Sequence, residues 1–90
     1  MIKVTIGQNM KRYTIYVDEN AITMPDGSRK AYDHEVTLRD AVEAVEFDTT
    51  KGSWTMDGAP LGPGDINRTF TSYGVTSSTA LFSVVKMDNA

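Results

Sequence analysis

The sequence predicts an α+β fold: a mixed sheet, one helix packed on one of its faces, and an extra hairpin inserted before that helix. Three observations carry this. Two strand–turn–strand patterns, residues 4–17 and 22–32, precede any helical spacing. A single apolar stripe follows at Leu38, Ala41, Val42 and Val45, spaced i, i+3, i+4 and i+7. The rest of the chain returns to short strand-like runs divided by Gly and Pro.

In the first hairpin, Ile2, Val4 and Ile6 alternate with Lys3 and Thr5, and Tyr13, Ile15 and Val17 alternate with Arg12, Thr14 and Tyr16. Period-two alternation gives each strand one apolar face. The four residues Gly7 to Met10 are expected to form the turn. In the second hairpin Ile22 and Met24 share a face, and "PDG" at 25–27 is a turn signal: Pro presets φ and Gly permits the positive φ that follows. The return strand from Arg29 to Tyr32 is polar, which suits an edge or a pair outside the main sheet.

Thr37 suits the N-cap of the helix, with Asp40 three residues on in the position of a capping box. The helix is expected to end near Phe47, before the polar run "DTTKG". Ser53 to Met56 form a short strand that puts Trp54 and Met56 on the helix side, and "DG" at 57–58 turns it. Leu61 returns to the core, "GPG" at 62–64 breaks regular structure, and a loop with one helical turn anchors Phe70. Residues 79–87 make the last strand. Its two faces, Ala80, Phe82, Val84 and Leu81, Ser83, Val85, are both largely apolar, which places it centrally in the sheet. One domain spans residues 1–87, with 21–35 as the inserted hairpin and 88–90 as a frayed tail.

Composition narrows the function. Forty percent hydrophobic content supports a compact core and argues against general disorder. With no cysteine, disulfides and thiolate metal sites are excluded. No apolar run is long enough to span a bilayer. "MIKVTIGQNM" has no charged region followed by a long apolar block, so no signal peptide is expected and the cytoplasm is the expected location. The net charge of −3 disfavours broad electrostatic binding to nucleic acid. Asp33, His34 and Glu35 are neighbours that point to different sides, so they read as a solvated turn rather than a catalytic set. A lone His without Cys makes no metal site, and no calcium-loop or P-loop spacing is present. Neither a metal nor a cofactor is expected.

Two segments resemble known families. "MDGAPLGPGD" followed by "TFTSYGVTSSTALFSVVK" resembles the second half of ubiquitin-like β-grasp domains, and the likeness runs in order through residues 1–20 and 37–87. It implies a β-grasp fold in which Tyr73 ties its loop to the backbone. "ITMPDGSRKAYDHEVTLRDAVEAV", residues 22–45, resembles the opening of a TGS domain as found at the N-terminus of threonyl-tRNA synthetases. After Val45 the chain departs from that pattern, so no synthetase or editing role carries over. The chain ends "KMDNA" rather than in Gly-Gly, so conjugation and sulfur transfer are not expected.

The resulting expectation is a binding module, not an enzyme, that docks a protein partner on the sheet face away from the helix. Alternation assigns Thr5, Thr14, Tyr16, Thr55, Leu81, Ser83 and Val85 to that face, with Lys3 at its rim. The expected contact residues are Tyr16, Thr55, Leu81, Ser83 and Val85. The first alternative is an RNA- or nucleotide-sensing TGS-like module using Arg29, Lys30 and Tyr32. The second is a small accessory subunit of an enzyme complex. A monomer or weak homodimer, with no membrane contact, fits each of these.

Overall fold

The alternating strands at the start of the chain become the middle of a seven-stranded mixed sheet in the computed structural model, which describes residues 1–50 and 52–84. Strand β1 (Ile2–Gln8) pairs antiparallel with β2 (Lys11–Val17), from Ile2 opposite Val17 to Gln8 opposite Lys11. The strands therefore run further than their alternation suggested, and the turn is two residues, not four. Asn9 and Met10 both have positive φ, 52° and 68°, as a type I′ turn requires. The same device recurs at Asp57 and Gly58, with φ of 52° and 87°, where the second residue is the favoured glycine.

Met10 is thus an L-residue held in a left-handed conformation, and it is fully exposed. Its side chain buries nothing that offsets the strain. Met10→Gly is expected to raise stability by about 1 kcal/mol, read as a higher urea midpoint at unchanged m-value. A lower midpoint would mean that Met10 makes contacts its exposure hides.

The second hairpin, β3 (Ala21–Thr23) and β4 (Arg29–Ala31), extends the sheet beyond β2 and does not fold over either face. β4 is the exposed edge. Asp26 accepts from both the Ser28 N–H and its hydroxyl, which closes the "PDG" turn.

Helix α1 (Leu38–Ala44) is capped as its sequence indicates: Thr37 Oγ1 accepts from the Asp40 N–H, and the Asp40 carboxylate accepts from the Thr37 N–H. It stops three residues short of Phe47. Glu46 takes φ 63°, and the Phe47 and Glu46 N–H groups bond back to the carbonyls of Val42 and Glu43, the two bonds of a Schellman ending. Among the described residues α1 is the single α-helix.

After the helix come β5 (Ser53–Met56), β6 (Ala59–Pro60), 3-10 turns at Asp65–Asn67 and Thr71–Tyr73, and β7 (Ser78–Val84). The sheet order is β4-β3-β2-β1-β7-β5-β6, and β1 with β7 is its parallel pair. β7 lies centrally, between β1 and β5, as its apolar faces indicate. Pro60 sits on the other edge, where its missing N–H blunts further pairing.

The core lies between the sheet and a layer formed by α1 with the loops around Val36 and Phe70. Leu38, Ala41 and Val42 pack there with Val4, Ile6, Ile15 and Ile22, all fully or almost fully buried. Gln8 is also buried on this side. Its amide exchanges two hydrogen bonds with the Asp48 backbone, Nε2 to the carbonyl at 3.0 Å and Oε1 from the N–H at 3.2 Å. That pair pins the segment after the helix to the end of β1.

One expectation is overturned here. Leu81 and Ser83 do not face away from the helix. Leu81 is completely buried in the core, and Ser83 is 7% exposed. The parallel register sets Leu81 beside Ile6 and Ser83 beside Gln8, and paired residues share a face. β5 agrees, with Met56 opposite Leu81 and Trp54 opposite Ser83. With both faces of the strand apolar, alternation alone carried no phase, and a one-residue change of phase inverts every side chain. Val85, assigned to the same face, lies outside the described residues.

Candidate functional site

The sheet face away from α1 is uncovered among the described residues. Register builds it as three rows across β7, β1 and β2. Phe82, Gly7 and Arg12 form one; Ala80, Thr5 and Thr14 the next; Ser78, Lys3 and Tyr16 the third. β5 adds Thr55 beside Phe82, and β3 adds Thr23 beside Tyr16. Tyr16 is 40% exposed, and Thr5, Thr14, Thr55, Ala80 and Phe82 are half-buried.

Gly7 decides how the first row is built. A Cβ there would stand 2.5 Å from Cδ1 and Cε1 of Phe82, so the ring lies directly on the glycine backbone. The Arg12 guanidinium sits over the same ring, 5.6 Å from its centroid. The face thus presents an aromatic ring and a cation at one corner, and Tyr16 with Lys3 diagonally opposite. Between them lies a flat field of threonine methyls and hydroxyls, in which Thr55 Oγ1 donates to the Phe82 carbonyl at 3.3 Å.

Of the residues assigned to this face from the sequence, register places Tyr16 and Thr55 on it and removes Leu81 and Ser83. Phe82, Ala80 and Arg12 are members that alternation did not identify. A glycine inside an otherwise regular strand often marks a close approach by another group, and Gly7 was that signal for Phe82.

Of Arg29, Lys30 and Tyr32, only Lys30 and Tyr32 are brought together. Successive residues of β4 point to opposite faces, so Arg29 parts from Lys30. Arg29 Nη1 pairs with Asp18 Oδ2 at 3.2 Å. The Lys30 ammonium lies 5.5 Å over the Tyr32 ring. Tyr32 packs against the core from the helix side, and burial, with Asp40 and Glu43 nearby, raises its pKa.

The Tyr73 hydroxyl donates to the Asp65 carbonyl at 3.5 Å, a long contact, and the Arg68 guanidinium lies 4.5 Å over its ring. Arg39 fastens the loops on either side of the second half, reaching Asn67 Oδ1 at 2.7 Å and Thr49 Oγ1 at 3.1 Å.

On the helix side, a groove of about 270 Å³ opens where β1 begins, floored by Ile2, Val17, Val36 and Phe70, with Glu19 and Glu35 at its rim. Glu35 accepts from the Thr71 hydroxyl. His34 stands apart from this groove, between Asp33 and Asp40. Among the described residues no group of three or more His, Asp or Glu side chains could hold a metal ion, and no helix is long and apolar enough to cross a membrane.

No family model matches this chain, and no curated protein or solved structure matches it.

Proposed function

We propose that this protein is a non-catalytic, ubiquitin-like β-grasp module that docks a protein partner through its uncovered sheet face. The observation that carries the reading is that face: paired strands presenting Tyr16 and Phe82 with Lys3 and Arg12, opposite the layer that covers the sheet. Aromatic and arginine side chains on a pre-organised surface are the groups that contribute most to protein interfaces. The placement of the first hairpin beside the last strand supports the β-grasp part of the reading. The divergence of Arg29 from Lys30 favours protein docking over the nucleic-acid alternative.

The test compares capture of binding proteins by wild type, by Tyr16→Asp on the face, and by Glu43→Lys on the exposed side of α1. Tyr16→Asp is expected to weaken the retained partner about tenfold or more, while Glu43→Lys holds it. Circular dichroism first confirms that both variants are folded. Equal retention by all three proteins would refute docking on this face.

A further inference from the structure

His34, the one histidine of the chain, lies in the connector between β4 and α1, and both of its ring nitrogens are engaged. Nδ1 is 2.9 Å from Asp33 Oδ1 and Nε2 is 2.8 Å from Asp40 Oδ2. An ionised carboxylate only accepts hydrogen bonds. A neutral imidazole has one N–H and one lone pair, so it satisfies one of these contacts and directs its lone pair at the other carboxylate. The geometry therefore points to an imidazolium that donates on both sides.

We propose that His34 is a proton-dependent clip that fastens the β4–α1 connector to the capping box of the helix. The two carboxylates differ in how firmly they are held. The Asp40 side chain is 18% exposed, and its Oδ2 also accepts from the Thr37 N–H at 3.1 Å, as part of the cap. The Asp33 side chain is 98% exposed and free to turn into water. Loss of the proton releases Asp33 first and leaves Nε2–H on Asp40 as the weaker, uncharged remnant. The charged form bridges a loop carboxylate to the helix start; the neutral form leaves two carboxylates together without a cation between them.

The surroundings favour the charged form. From the connector, Asp33 faces the ring, and Tyr32 packs edge-on with ring centroids 5.5 Å apart. From α1, Asp40 faces it, with Glu43 close to Tyr32. From β4 comes a cation, Lys30, and it lies over Tyr32. The hydrogen bonds to Asp33 and then Asp40 raise the His34 pKa above its ordinary value, and the bond to His34 lowers that of Asp33. A raised histidine pKa stabilises the fold fully below the unfolded value near 6.5. That contribution disappears as pH rises through the folded value.

The experiment follows the His34 ring by NMR titration in wild type, Asp33→Asn and Asp40→Asn, and measures urea unfolding on either side of neutrality in wild type and His34→Gln. The titration midpoint is expected above 6.5 in wild type and lower in each Asn variant, with both ring nitrogens protonated below it. Wild type is expected to lose stability between slightly acidic and slightly alkaline pH, and His34→Gln is expected to lack that dependence. The proposal is overturned if the wild-type ring titrates at its ordinary value and ignores both substitutions. It is equally overturned if His34→Gln keeps the wild-type pH dependence. The ring titration needs only folded protein, so a fall in stability of one Asn variant leaves the other to decide.

Discussion

Leu81→Asp is expected to give no folded protein at room temperature, and Leu81→Ala to lower stability by about 2–5 kcal/mol. Leu81 is completely buried, between Ile6 on β1 and Met56 on β5, in an interior strand of the sheet. Truncation there removes a fully packed side chain and leaves a cavity that paired strands on both sides cannot collapse into. The cross-strand partners Ile6 and Met56 offer a carboxylate at that position neither a cation nor a side-chain donor. Burying it unpaired opposes folding by several kcal/mol beyond the lost packing. A domain of this size has only about 5–15 kcal/mol in total. Far-UV circular dichroism of Leu81→Asp and urea unfolding of Leu81→Ala provide the measurements. A folded Leu81→Asp of near-native stability would mean that β7 has the opposite phase. Tyr16→Asp, by contrast, replaces a 40% exposed ring opposite Lys3 and should fold.

Trp54 yields the second large effect, through the difference between two substitutions. The side chain is 5% exposed, packed in the core opposite Ser83, and its Nε1–H has no hydrogen-bond partner among the described residues. A buried donor without an acceptor opposes folding by about 1–3 kcal/mol. Trp54→Ala removes ring and donor together, and the cavity dominates, so the expected loss is about 3–5 kcal/mol. Trp54→Phe removes the unpaired donor while retaining most of the aromatic packing. The two effects oppose each other, and stability is expected to stay within about 1 kcal/mol of wild type. Urea midpoints of the two variants decide the matter. A Phe variant as weak as the Ala variant would show that the indole nitrogen contributes a favourable contact.

The uncovered face and the His34 clip place the chemistry of this protein on opposite sides of its sheet. The face carries aromatic rings and cations on paired strands; the connector carries a histidine held by carboxylates. A partner on the face leaves the clip accessible to solvent. The two proposals therefore stand or fall separately.

What could be read in the sequence was local. Thr37 and Asp40 announce the helix start because a capping box closes within four residues. Pro25 to Gly27 announce a turn because their φ preferences are intrinsic. Ile2, Val4 and Ile6 with Ile15 and Val17 announce two half-buried strands because each pattern has one apolar phase. The same alternation correctly placed Tyr16 and Thr55 away from the core. What only the tertiary structure decided depends on partners remote in the chain. Met10 carries no turn signal, and its positive φ is imposed by the pairing of Gln8 with Lys11. In β7 both phases are apolar, so the strand itself does not state which side is inside. Its parallel pairing with β1 decides, sending Leu81 inward beside Ile6 and laying Phe82 on Gly7. Short-range torsional and capping preferences are properties of neighbouring residues, whereas the facing of a strand with two apolar sides is a property of the strand it joins.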